Sequence, residues 1–474
     1  MYNREINIIN SFSKMFSISL LIIFFLVFSE DFIRMNFQSF GIKTYLLKDA
    51  VVLFIYLLFF ILFIDYPHIL KITKNVKNLL FYILTLVFIY VCASFTNFKS
   101  FELILLGVRV DLFYWLITFS IIVAYNHKKF VNIFFYILLI FLLINFTVST
   151  IQLMLPEFLK NVPGFYGIYD INKVERIATF HKTEWEYLYG IFTDVGKLNS
   201  NLYNIFIWFL IFYFIFEKIK FNTLILFNLL ILMVLFFSGK RVYFIFCLFF
   251  FLFFSLFIIY IKQKVKLVSK EYKYVSELNK SIWVLLCIFT LVFLFVSVIN
   301  LDTILFYYKY IEYSLTTQIN ERFFGSEEQF GLFYEVKKLL NSGSLIFGEG
   351  IGLSTSGNQY IIDQNSILNG YEYGPTKLVY ELGILGLLQF ILFWSIIFFI
   401  DFNSLYKIES SLRIRLCIMT ITYYHISFFM TVLLGHHYWD DTQNQIHFWA
   451  ITGTQIFIYN KYSNNNNYQN KILI

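Results

Sequence analysis

VYFIFCLFFFLFFSLFIIYI, residues 242–261, is a run of twenty residues without a charge or a proline. As a helix rising 1.5 Å per residue it measures about 30 Å, the thickness of a bilayer's hydrocarbon core. Lys240 and Arg241 precede it, and Lys262 and Lys264 follow. The run reads as a membrane-crossing helix with cations at both mouths. The same reading extends outward to blocks of about 17–25 residues along the chain. Their limits are near 15–29, 49–64, 79–96, 110–125, 131–155, 201–216, 222–237, 242–261, 282–300, 378–400, 416–434 and 445–459. The fold class is therefore an all-α polytopic membrane protein of about 12 transmembrane helices in a single integral membrane domain, 1–474.

Composition agrees. Hydrophobic residues make up 59% of the 474 and charged residues 14%, against about 25% charged in soluble proteins. Too few charges remain to cover a soluble surface, and so many aromatics exclude a disordered chain. Cys92, Cys247, Cys287 and Cys417 all fall inside apolar blocks with no CxxC or Cys/His spacing, so neither a disulfide framework nor a zinc site is expected. The first block reads as a retained helix rather than a removed signal.

The formal net charge of +7 resolves by location. With the first residues placed in the cytoplasm, the inner segments carry about +13 and the outer ones about −6. An even number of crossings then puts both termini in the cytoplasm. Two outer segments are long, 156–200 and 301–377, and loops of that length are usually functional or disordered. The second holds an amphipathic helix: Phe330, Phe333, Tyr334, Val336, Leu339 and Leu340 recur at helical spacing among Glu335, Lys337 and Lys338, and Asn341 and Gly343 stop it. The tail, 460–474, is polar and expected to be disordered. Nearly all charges fall at helix ends or in loops, and Asp111 is expected to pair with its neighbour Arg109.

Against this background Lys240 and Arg241 stand out, because they occupy a tight turn on the acidic outer side. Two adjacent cations at an outer membrane surface suit a phosphate or pyrophosphate, Arg by a bidentate grip and Lys as a point charge; snorkelling to headgroups is the plainer role. Arg176, ahead of Ile177-Ala178-Thr179-Phe180-His181, is a further anion ligand, unless it pairs with Glu175, Glu184 or Glu186. Arg322 precedes Phe323-Phe324-Gly325. Glu372 lies between Tyr371 and Tyr373 at a membrane mouth, where a carboxylate suits general acid–base work. Glu381 begins the next helix, near the bilayer edge, where ionisable groups are costly but a helix N-terminus also favours Glu. His436, His437, Asp440 and Asp441 have i,i+4 spacing for a metal, but a polar turn anchored by Trp439 accounts for them. No Walker, Rossmann, GxSxG or HExxH pattern is present, the cytoplasmic loops are too short for a nucleotide-binding domain, and the basic loops follow membrane topology rather than nucleic acid.

Three stretches resemble the bacterial O-antigen polymerase (Wzy-type) and O-antigen ligase superfamily. They are Arg176-Ile-Ala-Thr-Phe with Gly190-Ile-Phe-Thr-Asp194, the turn Ser238-Gly239-Lys240-Arg241, and Leu345-Ile-Phe-Gly-Glu-Gly-Ile-Gly352 followed by Tyr380-Glu-Leu-Gly-Ile-Leu-Gly386. The last is similar to that family's "plfGvGlG" stretch and its Glu-x-Gly helix start. Nine residues before the glutamate corresponding to Glu381, ligases carry His-Asn; Glu372 and Tyr373 stand here, which favours a polymerase. The resemblance implies a GT-C-like glycosyltransferase in the bacterial cytoplasmic (inner) membrane, acting on undecaprenyl-diphosphate-linked oligosaccharide for O-antigen or capsule. A chain-length regulator and a flippase would be its partners besides membrane lipid. Glu372, Arg241 and Arg322 would be catalytic; Arg176, Lys240, Tyr371, Tyr373 and Glu381 would bind pyrophosphate or glycan. No metal or cofactor is required. The rivals are a ligase acting on lipid A core and a flippase or transporter, which would be expected to line a midplane pathway with charge.

Overall fold

The computed structural model describes residues 2–37, 44–66, 70–71, 73–96, 100–154, 195–237, 242–264, 283, 332–351, 353, 374–407, 412–434, 442–463 and 472–473. Thirteen helices occupy these residues. They are α1 (Tyr2–Phe37), α2 (Thr44–Asp65), α3 (Lys74–Thr96), α4 (Phe101–Leu112), α5 (Ile117–Ala124), α6 (Phe130–Met154) and α7 (Val195–Phe214). There follow α8 (Phe221–Phe237), α9 (Val242–Lys264), α10 (Leu332–Ser342), α11 (Gly374–Lys407), α12 (Leu412–Leu434) and α13 (Thr442–Ser463). The two strands, β1 (Leu70–Lys71) and β2 (Ile472–Leu473), pair in parallel. The apolar block 282–300 lies outside the described residues.

Among the described residues, eight helical spans are long and apolar enough to cross a bilayer: those in α1, α2, α3, α6, α9, α11 and α12, and α4 with α5 as one. This makes the chain a polytopic helical membrane protein. α8 is apolar but shorter. α7 and α13 fall short because they are polar. α7 carries Asn199, Asn201 and Asn204, and α13 carries Gln443, Asn444, Gln445, His447, Thr452, Thr454 and Gln455, all buried. Their place in the bundle matches. α13 packs on α5, α12, α11 and α7, and α7 packs on α8, α12, α6 and α9. The apolar helices form the shell and turn large side chains outward: Leu57, Phe60 and Phe63 on α2, Leu84 and Phe88 on α3, Phe249, Phe253 and Leu256 on α9. In lipid such exposure costs nothing, whereas polar side chains must face one another.

Aromatic packing fills the interior. Phe24 stacks on Phe134 at 4.3 Å, and Phe134 meets Trp208 edge-on at 4.9 Å. Polar contacts mark the two ends. At one, Lys48 Nζ donates to Thr442 Oγ1 (2.8 Å), joining the starts of α2 and α13. At the other, Arg413 pairs with Glu217, and β1–β2 brings residues 472–473 to the link between α2 and α3. Of the tail expected to be disordered, residues 460–463 therefore complete α13 and residues 472–473 pair with β1; 464–471 lie outside the described residues. α7 begins at Val195, inside the segment read as outer loop 156–200.

At the closest approach of α13 to α5, a Cβ on Gly453 would stand 2.3 Å from the Thr118 carbonyl oxygen. Gly453→Leu is expected to pry the two helices apart at a cost of about 1–3 kcal/mol. Thermal unfolding in detergent, followed by size-exclusion chromatography, should give a lower midpoint; an unchanged midpoint would refute the close packing.

Candidate functional site

Of the residues singled out in the sequence, Glu381 lies in the described structure. Arg176, Lys240, Arg241, Arg322, Tyr371, Glu372 and Tyr373 lie outside the described residues, as do His181 and 435–441.

Glu381 sits at a break in α11. The helix starts at Gly374-Pro375, proline being suited to a first turn because its missing N–H has no partner there. Nine residues on, Gly383 adopts φ +65°, ψ −152° and interrupts the helix. In an unbroken helix the Ile384 N–H would bond the Tyr380 carbonyl, four residues back. Here the loop after α10 takes both groups. Ile384 N–H donates to Leu345 O (2.8 Å), and Glu349 N–H donates to Tyr380 O (2.7 Å). Gly348, at φ +68°, closes the loop by donating to Ser344 O (2.8 Å). The approach leaves no room for side chains. A Cβ on Gly348 would lie 2.5 Å from Tyr380 O, and one on Gly383 2.5 Å from Leu345 O. The two stretches, 345–351 and 380–386, are thus one structural unit.

That unit gathers charge. Glu381 and Glu335 are fully buried, and Lys377, one turn before Glu381, is buried as well. Glu335, Glu349 and Glu381 all act electrostatically on the Tyr380 hydroxyl. Lys338 lies 3.9 Å from Glu335 and 5.5 Å above the Tyr380 ring. Glu381 also reaches the field of Tyr90 on α3, whose hydroxyl donates to Asp111 on α4. Arg109, expected to pair with Asp111, pairs instead with Asp49 at 2.7 Å, and Tyr114 donates to the same carboxylate at 2.6 Å. The fold explains the exchange: Asp49 on α2 stands across from α4, whereas Asp111 points towards α3. Carboxylates grouped about a tyrosine and a lysine at a helix mouth can orient hydroxyl-rich ligands and move protons.

A second constellation was not read from the sequence. The apolar block 378–400 stops one residue short of Asp401, but α11 runs on to Lys407 and buries it. His425 Nδ1 of α12 lies 2.9 Å from Asp401 Oδ1, and His425 Nε2 lies 3.1 Å from Thr452 Oγ1 of α13. Gln455 Nε2 donates to the same Asp401 oxygen. The charges are therefore not confined to helix ends and loops. The signal available was the polarity of 442–455, too rich in Gln, Asn and Thr for a lipid-facing helix. Further polar bonds continue along the same helices: Asn201 to Gln443 (2.9 Å), Tyr424 to Asn204 (3.1 Å), Tyr203 to Ser427 (2.5 Å) and Trp208 to His447 (3.2 Å).

Among the described residues, no three His, Cys, Asp or Glu side chains are grouped to hold a metal. The chain matches no protein-family model and no curated protein sequence.

Removing one partner of a buried hydrogen-bonded pair leaves the other unsatisfied and costs about 1–3 kcal/mol, while an apolar replacement of both is often nearly neutral. Asp401→Leu and His425→Leu should each lower the thermal midpoint in detergent, and the double variant should recover most of the loss. Additive losses in the double variant would show that the two do not act as a pair.

Proposed function

We propose that the protein is a polysaccharide polymerase of the O-antigen or capsule type. It joins polyprenyl-diphosphate-linked oligosaccharide repeat units on the outer face of the bacterial cytoplasmic membrane. The observation that carries this reading is the loop–helix unit, where the two stretches most similar to that superfamily, 345–351 and 380–386, interlock through Gly348 and Gly383 around Glu381. In this reading the chain crosses twelve times with both termini cytoplasmic. The meeting of β1 and β2 at one end of the bundle supports the even parity.

The chemistry is a displacement at the anomeric carbon. A hydroxyl of the terminal sugar on the incoming unit forms the new C–O bond, and the bond from the growing glycan to its pyrophosphate breaks. Glu372 takes the hydroxyl proton. Arg241, Lys240, Arg176 and Arg322 stabilise the departing pyrophosphate, which remains on its lipid carrier. Glu381, Tyr371 and Tyr373 bind glycan. The basic helix ends and the acidic outer loops supply the topology the scheme needs.

A second reading, a flippase or transporter of lipid-linked oligosaccharide, draws on one observation. Asp401 and His425 form an ionisable pair inside the bundle, and such pairs mark pathways across membranes.

Deleting the gene and resolving the surface glycan by gel separates the readings. Loss of a polymerase leaves single repeat units, loss of a ligase leaves long chains on the carrier, and loss of a flippase leaves units facing the cytoplasm. In the polymerase case, Arg241→Ala should cut chain lengthening by about 100-fold, the scale of one lost charge-stabilising donor. Glu372→Gln should also abolish it, with protein abundance unchanged. Normal chains from both variants would remove the assigned roles.

A further inference from the structure

α11, α12 and α13 meet at Asp401, His425, Thr452 and Gln455, all buried, and the hydrogen bonds there decide where protons sit. A threonine hydroxyl has a single proton to donate. Thr452 donates it to the Phe448 carbonyl, one turn back on α13 (2.9 Å). Its oxygen can then only accept from His425 Nε2, 3.1 Å away, so Nε2 carries a proton. On the other side of the ring, Nδ1 lies 2.9 Å from Asp401 Oδ1 and 3.1 Å from Oδ2. A bare ring nitrogen and a bare carboxylate would repel at this separation. A further proton therefore lies between them, on one atom or the other. The pair as a whole is neutral, either imidazolium with carboxylate or imidazole with carboxylic acid.

We infer that Asp401 and His425 together form a binding site for one exchangeable proton, and that the Thr452 hydroxyl turns when the proton leaves. On release, Nε2 gives its proton to a solvent base. The proton left on the pair sits at Nδ1 and donates to Asp401, whose carboxylate then carries a net negative charge. Nε2 becomes an acceptor, and the Thr452 O–H swings to it from the Phe448 carbonyl. That carbonyl is not stranded, because the helix supplies it with the Thr452 N–H. Gln455 Nε2 gives the carboxylate a second donor. Both ring nitrogens and the carboxylate thus keep partners with the proton bound and with it gone, so neither state leaves one of them unsatisfied.

The surroundings isolate the pair. Among the described residues, no third His, Cys, Asp or Glu is grouped with it, and the ion pair that Asp401 makes is the one to His425. On α12, the Tyr424 ring stands 6.0 Å from that of His425, and its hydroxyl donates to Asn204 of α7. α13 presents Thr452, Gln455 and the Phe448 ring, none of which titrates. α3 presents Tyr82 to Phe393, two turns before Asp401. Glu335 and Lys338 of α10 lie at the far end of α11, by Tyr380. The inference rests on neither functional reading. Its consequence is that the junction of α11, α12 and α13 changes charge with proton concentration while its hydrogen bonds persist.

The test is nuclear magnetic resonance of the full-length protein in nanodiscs, with isotope-labelled tyrosine carbonyls and histidine rings. Tyr424-His425 is the only Tyr-His step in the sequence, so transfer from the tyrosine carbonyl selects His425 without any variant. The Nε2 shift reports whether that nitrogen carries a proton. As pH is raised across the range in which the protein stays folded, Nε2 should pass from protonated to bare, with Nδ1 protonated at the end. Asp401→Asn keeps the shape but cannot share the proton, and should hold Nε2 in one state throughout. An Nε2 that does not change in the natural sequence would overturn the inference, and so would a change that survives in Asp401→Asn. The first measurement stands alone if the variant does not fold. Glycan synthesis is not read, so the outcome is independent of the polymerase proposal.

Discussion

Two backbone groups of α11, the Tyr380 carbonyl and the Ile384 N–H, govern one end of the described structure. A helix would pair them with each other; here the loop after α10 claims both. Unsatisfied backbone groups are costly in a membrane protein, so a broken helix persists only where something else supplies the bonds. The loop does so, and the exchange works in both directions. The helix acquires a fixed kink, and the loop acquires a rigid seat. Everything attached to either follows: α10 is docked by Lys338 and Glu335, Glu381 is aimed inward, and Tyr90 and Asp111 are brought alongside from α3 and α4.

The interior obeys a different rule. In a soluble protein polar residues go out and apolar ones in. Here α7 and α13, too polar to face lipid, are wrapped by apolar helices, and polar bonds tie them to each other and to their neighbours: Asn201 to Gln443, Asn204 to Tyr424 and Thr454 to Tyr125. Individual bonds between membrane helices contribute about 0.6 kcal/mol on average. The set therefore acts less through strength than through specificity, since a helix rotated out of register would leave several buried groups without partners. Asp401 is the most demanding of these, because its carboxyl group has His425 and Gln455 as partners together.

Much of the architecture could be read from hydropathy, because a lipid-facing helix has to be apolar along its whole length. The block 242–261 became α9, and 330–340 became α10 with its stop at Gly343. Position within the bundle was not legible. Nothing in a linear pattern distinguishes the shell helix α3 from the central helix α7, except that Asn199, Asn201 and Asn204 make sense only away from lipid. Asp401 shows a related limit: the apolar block ends at 400, whereas α11 continues past it to Lys407. Local pairing likewise failed for Arg109, since Asp49 is sixty residues away in sequence yet across one helix contact in space. The junction of Gly348 with Gly383 was visible as two separate glycine-containing stretches, and only the folded chain shows that each glycine exists to admit the other's backbone.

The central placement of α13 bears on how the molecule is made. Among the described helices it is the last to leave the ribosome, and its polar face gives it little tendency to enter lipid alone. Its neighbours α1, α5, α7, α11 and α12 are all synthesised earlier, and they surround the place it occupies. The earlier helices must therefore wait in the bilayer with an open slot, and Asp401 and His425 must wait without Gln455 and Thr452. Completion of the bundle then falls to the docking of this polar helix into surfaces already prepared for it.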